Sequence, residues 1–145
     1  MVPHWEENDE IELLKAQTFE DLAAIAMRVL KRMPKPIMQI CGPITTGGKG
    51  SLTKNLDALE EAIEQQTKSG HHVFNQLPFQ GAMFRILKTP YYKGHEDHLL
   101  TTFYRSIFGS GLIDTLCFLP GWESSYGASW EHQEAQRLGI KIVNL

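Results

Sequence analysis

The stretch from Ile37 to residue 74 constrains this chain most. Ile37–Cys41 is a short apolar run, and Gly42-Pro43-Ile44-Thr45-Thr46-Gly47-Gly48-Lys49-Gly50-Ser51 follows it at once. A helical pattern then continues to about Lys68, with Leu52, Leu56, Leu59 and Ile63 as its inner face. Ser69-Gly70 closes that helix, and residues 71–74 read as the next strand. Strand, glycine loop, helix, strand is the βαβ unit of a parallel sheet, with a right-handed crossover. Residues 115–119 and 140–143 supply two further apolar runs. The pattern predicts a doubly wound α/β fold with a mainly parallel sheet of about four strands. Ile37–Cys41 should be central beside 115–119, flanked by 71–74 and 140–143, with helices on both faces.

Ahead of this unit, residues 9–32 show a helical pattern that Thr18, with Asp21 three residues later, splits in two as an N-cap. Pro34 and Pro36 end it. Residues 1–35 thus read as a helical extension packed on the sheet or on a second subunit, and 36–145 as the α/β domain. In the middle of the chain, a short helix is expected near 79–87 and an aromatic turn at 90–94. A helix over 95–108 should point Leu99, Phe103 and Ile107 inward. Trp5, the 9–33 region and the 79–92 aromatics offer more apolar surface than a small sheet needs, so a homo-oligomer is expected.

Composition excludes several classes of function. A net charge of -3 argues against binding a nucleic-acid polymer through a basic surface, while leaving room for a small nucleotide. Cys41 and Cys117 both lie in apolar runs and read as buried free thiols of a reducing compartment. No apolar run suits a membrane span and no leader is visible, so a cytoplasmic protein is expected. No Gly-x-Ser-x-Gly elbow occurs, and His71, His72, His95 and His98 form no recognised zinc spacing. Neither a metal nor a cofactor is called for.

Two loops carry the candidate chemistry. Both follow strands that would be neighbours, so both open onto one sheet edge, where ligands of open α/β sheets bind. In the first, Gly42, Gly47 and Gly48 allow close approach of backbone N–H groups to an anion, and Thr45, Thr46 and Ser51 add hydroxyls. It is a near miss to a P-loop, because Gly48 stands where that motif has Lys. The second is Leu119-Pro120-Gly121-Trp122-Glu123-Ser124-Ser125-Tyr126-Gly127, leading into a helix over 128–138. On that helix Ala128, Glu131, Ala135 and Leu138 share one face. A carboxylate on a core-facing stripe either reaches sideways to water or lines a cleft. The second alternative places Glu131 in a crevice with the glycine loop, Ser124 and Ser125.

Ile40-Cys41-Gly42-Pro43 with Asn55 downstream, then Leu119-Pro120-Gly121-Trp122-Glu123 and Gly127-Ala128 with Glu131, resemble the nucleoside 2-deoxyribosyltransferase-like superfamily. The resemblance covers roughly residues 37–143 and is nearest to a branch with a GP loop and an LPGWE…GA…E segment. It implies a flavodoxin-like, three-layer fold and hydrolysis or transfer at the N-glycosidic bond of a nucleoside or nucleoside monophosphate. It assigns Glu131 as the nucleophile, kept ionised by the positive end of its helix. Ser125, six residues earlier, matches a phosphate-binding serine of the deoxynucleoside monophosphate N-hydrolases, and Gly127 matches a glycine of the same segment. Gly42, Pro43, Thr45, Thr46, Gly47, Gly48 and Ser124 complete the implied substrate-binding set. The first loop departs from those enzymes in having Pro43 for a serine, no arginine and one extra residue. There is a further likeness to the cytokinin-activating phosphoribohydrolases, whose proline-glycine loop also leads to a Glu. A non-catalytic nucleotide-binding domain on the same fold is the alternative.

Overall fold

The computed structural model describes residues 2–90, 92 and 97–145. Its four strands are β1 (Ile37–Cys41), β2 (His72–Val73), β3 (Thr115–Phe118) and β4 (Lys141–Asn144). They are all parallel and lie in the order β2-β1-β3-β4, as the pattern predicted. Leu116 pairs with Gln39 and Phe118 with Cys41. The strand ends differ from expectation by a residue or so. Phe74 still donates its N–H to Met38 O, and the N–H of Ile140 turns back to Ala135 O as α6 closes.

The helices are α1 (Glu7–Lys15), α2 (Phe19–Arg32), α3 (Leu52–Lys68), α4 (Gln80–Leu87), α5 (Arg105–Gly109) and α6 (Tyr126–Leu138). Strand alternation sorts the core. Ile40 and Cys117 face Leu59, Ala62 and Ile63 of α3. Ile37, Cys41, Leu116 and Phe118 face the opposite layer, built from α2, α4, α5 and α6. The chain therefore crosses one face between β1 and β2 and the other between β2 and β3. That change puts the topological switch point between β1 and β3, where a crevice forms beyond the strand ends.

Thr18 caps α2 as expected. Its hydroxyl accepts from Asp21 N–H at 3.1 Å, and the Asp21 carboxylate accepts from Thr18 N–H. The buried Asp9 of α1 binds Arg28 and Arg32 of α2 and clasps the two helices. Arg32 beside it holds the Asp9 carboxyl below its usual range.

Two expectations need correction and a third is narrowed. Of the apolar side chains expected at an oligomer interface, Trp5, Phe19, Phe79 and Tyr92 belong to one core cluster, while Ile11 and Leu14 of α1 stay exposed. Phe79 is the hub, with the rings of Trp5 and Phe103 each 5.2 Å away. On α3, Leu52 is exposed, while Asn55, one turn on, is buried. The reason is that the glycine loop folds over the start of the helix and needs Asn55 for its backbone. The helix before α5 is not regular. Leu99–Tyr104 is a π-helical segment, in which Arg105 N–H reaches back to Leu100 O. The extra residue per turn turns Leu100 and Tyr104 inward as well as Phe103. Of the expected turn at 90–94, Tyr91, Lys93 and Gly94 lie outside the described residues, as does His95 at the start of the expected helix.

Among the described residues no helix is long and apolar enough to cross a membrane. Nor, among them, does any group of three or more His, Cys, Asp or Glu side chains suit a metal ion.

Candidate functional site

At the carboxyl ends of β1 and β3 lies a cavity of about 450 Å³, within the usual range of small-molecule sites. Its walls come from four places. The glycine loop gives Gly42, Ile44, Thr45 and Thr46. The start of α6 gives Ser125, Tyr126, Gly127, Ala128 and, one turn deeper, Glu131. Helix α4 gives Gln80, Met83, Phe84 and Leu87, and the 97–104 segment gives Asp97, Leu99, Leu100 and Tyr104. One end is polar and the far wall is apolar.

Glu131 is 6 % exposed. Its Oε2 accepts from Gln39 Nε2 and from Cys41 Sγ, each at 3.4 Å. Alternation along β1 aims both of those side chains at the face that α6 covers. The carboxyl has no cationic partner among these contacts. Burial therefore pushes its pKa up to about 8, against which the bond from Cys41 is a minor effect. Burial thus favours the protonated form of Glu131, contrary to the expectation of a group that its helix keeps ionised. The helix offers little help, because α6 begins at Tyr126 and Glu131 lies beyond its first turn. The side-chain oxygen of Gln39 is buried without a partner. A half-turn of that amide would let it accept the carboxyl proton. The neighbouring Cys41 thiol and Tyr104 phenol are pushed up too, chiefly by burial and then by Glu131.

Glu134 on the same helix shows what Glu131 lacks. It is equally buried, but Arg137 chelates it at 2.7 and 2.8 Å, and Arg105 lies 3.5 Å away. Arg137 lowers its pKa.

The remaining sequence-derived residues separate into two sets. Gly42, Thr45, Thr46, Ser125 and Gly127 line the cavity with Glu131. Ser125 caps α6, accepting from Ala128 N–H at 3.2 Å. Thr46 accepts from Tyr126 N–H at 3.0 Å. Pro43, Gly47, Gly48 and Ser124 stand behind that wall and fasten the two loops together. Gly48 N–H donates to Ser124 Oγ at 2.8 Å. Gly47 has φ +66°, and a Cβ there would lie 2.2 Å from the Ser124 carbonyl oxygen. Asn55 ties the loop from below, donating to Ile44 O and Gly47 O and accepting from Lys49 N–H. Lys49 lies on this outer side with Pro43 and Gly48. At the mouth the Tyr126 hydroxyl donates to Asp97 Oδ1 at 2.9 Å, which joins the two walls.

Sequence reasoning missed Gln39, Gln76, Gln80 and Tyr104. Gln39 had a visible signal, as the one polar residue inside an apolar strand. Tyr104 follows from the π-helical turn and Gln76 from a loop whose path has no periodicity, while Gln80 is the first residue of α4.

A family model described as a domain of unknown function, DUF4406, matches residues 36–144. The chain belongs to this family. No curated protein and no solved structure matches the chain. The match begins where α2 has ended, although α2 shares its core with the sheet.

Proposed function

We propose that the protein cleaves or transfers at the N-glycosidic bond of a nucleoside or nucleoside monophosphate, with Glu131 as the nucleophile. The observation that carries this reading is a buried carboxyl, with no cation beside it among the described residues, in the wall of a ligand-sized cavity at the switch point of the sheet. The likeness of its two loops to the nucleoside 2-deoxyribosyltransferase-like superfamily supports it. The amino end of α6 and the Ser125 and Thr46 hydroxyls suit the sugar or phosphate end of such a ligand. The apolar wall of α4 and the π-helical segment suits its base.

In the reaction, Glu131 loses its proton and a carboxylate oxygen attacks C1′. The bond from C1′ to the base breaks, and its electron pair goes to the base nitrogen, which takes up a proton from solvent water, where the Glu131 proton has gone. Water, or a second base, then attacks C1′ and releases the carboxylate. A low-dielectric site holds the carboxylate poorly in the ground state. It holds it better beside the positive charge that develops on the sugar ring, so the stabilisation is larger in the transition state.

The test is release of free base from the common nucleosides and their monophosphates. Glu131→Gln keeps size and removes the attacking charge, and should lower turnover by several orders of magnitude. Because Glu131 is protonated below its pKa, kcat/KM should rise with pH, reach half its maximum near pH 8 and level off above it. A profile that falls through the same pH makes Glu131 a proton donor and overturns the nucleophile assignment.

One observation favours a second reading. Neither Glu123 nor His132, the side chains near the second loop able to protonate a leaving base, lines the cavity, and His132 stacks on Trp122 with centroids 4.1 Å apart. Saturable nucleotide binding with no base released by the wild-type protein would identify a non-catalytic binding domain.

A further inference from the structure

A chain of polar groups runs from the sheet to the cavity, and its direction is fixed from one end. A backbone carbonyl only accepts. Gln76, which is buried, must therefore turn its NH₂ toward Ile40 O, and does so at 2.8 Å. That leaves the Gln76 carbonyl oxygen to accept the Tyr104 hydroxyl at 2.7 Å. With its proton committed, Tyr104 offers only lone pairs to its other neighbours. The amide of Gln80 acts on Tyr104 as a donor, favouring the phenolate form. Yet the Gln80 NH₂ is buried and completes no hydrogen bond. The orientation left for Gln80, which is 8 % exposed and lines the cavity, puts its NH₂ toward Tyr104 and its carbonyl oxygen toward the ligand space.

We propose that Gln80 is the base-reading residue of this cavity, and that it selects a planar ring bearing an N–H donor, either an exocyclic amino group or a ring N–H. The inference rests on the reading of the cavity as a nucleoside site and names which edge of the base is read. Three features support it. Met83, Phe84 and Leu100 form an apolar wall beside Gln80, against which a flat ring packs. With its proton given to Gln76, the Tyr104 oxygen only accepts, so a turned amide would set the Gln80 carbonyl oxygen against the phenol lone pairs. The loose contact between Gln80 and Tyr104 tightens when the ligand's N–H pulls on the carbonyl oxygen, because linked hydrogen bonds polarise one another.

The experiment uses the wild-type protein and free nucleobases, which need no sugar or phosphate and cannot be cleaved. Affinities are measured by NMR titration for pairs that differ in one donor: adenine and purine, cytosine and 2-pyrimidinone, guanine and hypoxanthine, uracil and 3-methyluracil. The donor-bearing member of at least one pair should bind about tenfold more tightly, the size of one neutral hydrogen bond. In Gln80→Met, similar in volume but without an amide, that ratio should fall to about one, the result of a double-mutant cycle. Tyr104→Phe frees the Gln80 amide to turn and should also shrink the ratio, so it serves if the Met variant does not fold. No binding of any base, no difference within any pair, or a ratio unchanged in the variants overturns the proposal. Nucleoside cleavage without a donor effect removes this inference and leaves the proposed function standing. A donor effect without cleavage of any nucleoside does the reverse.

Discussion

Replacing Glu131 by Gln should stabilise the protein, and by an amount that grows with pH. The carboxyl titrates at 4.5 as a free side chain and at about 8 in the fold. The folded state therefore holds its proton more tightly than the unfolded state. For a group with a raised pKa, its contribution is fully present below the unfolded value and is lost as pH rises toward the folded value. Between pH 4.5 and 8 the unfolded chain gains by ionising while the folded chain does not. At about 1.4 kcal/mol per unit, this term costs ~1 kcal/mol at pH 5, ~3 at pH 7 and ~5 above pH 8. Glutamine stays neutral throughout, and its carbonyl oxygen can keep the contacts from Cys41 and Gln39. The difference between the two proteins should track that term.

The assay is urea unfolding of both proteins at pH 5, 7 and 9, with the midpoint and slope fitted at each. The expected outcome is near-equal stability at pH 5 and a variant more stable by several kcal/mol at pH 9. Titrating groups distant from Glu131 shift both curves alike and cancel in the difference, while Cys41 and Tyr104, which Glu131 influences, stay protonated in the fold through burial. A constant difference across the three pH values would show that Glu131 titrates normally. It would remove both the buried-acid argument and the predicted rise of kcat/KM with pH. Stability lost at a site residue is the usual mark of a group retained for chemistry.

Two further outcomes concern the loops. Asn55→Ala removes three hydrogen bonds to the backbone of the glycine loop. Its unfolding free energy should fall by about 2–4 kcal/mol, with amide exchange accelerating at residues 44–50 before the sheet is affected. Gly47→Ala places a Cβ against the Ser124 carbonyl at a positive φ. It should cost about 1–3 kcal/mol and part the two loops, so ligand binding should weaken more than the melting temperature suggests. Wild-type melting and wild-type ligand affinity in either variant would show that the loops are not fastened as described.

Much of the architecture was legible because it rests on local rules. Apolar runs separated by a glycine loop and amphipathic helices leave few alternatives to a parallel sheet, and the strand order followed. Thr18 with Asp21 reported a helix start through spacing alone. What was not legible depended on contacts distant in sequence. Leu52 fits the apolar stripe of α3 as well as Leu59 does, yet only Leu59 is buried. Asn55 shares the face of Leu52 and Leu59, and a polar side chain is buried there because three loop backbone groups converge on it. The π-helical turn at Leu99–Tyr104 shifts the inward face by one residue, and no periodicity in the sequence announces it.

Glu131 and Glu134 mark the boundary most clearly. Both lie on α6, both are nearly inaccessible, and spacing along the helix identifies the face of each. Spacing does not reveal which one has an arginine. Arg137 lies three residues from Glu134 and within reach, so that carboxylate is satisfied inside its own helix. Glu131 meets a strand thiol and a strand amide, neither of which carries charge. The same residue type on the same helix is thus an ion at one position and an acid at the other. The difference is created by what β1 presents at Gln39 and Cys41. A basic residue at either position would lower the Glu131 pKa and secure the fold, and would remove the buried acid on which the chemistry proposed for this cavity depends.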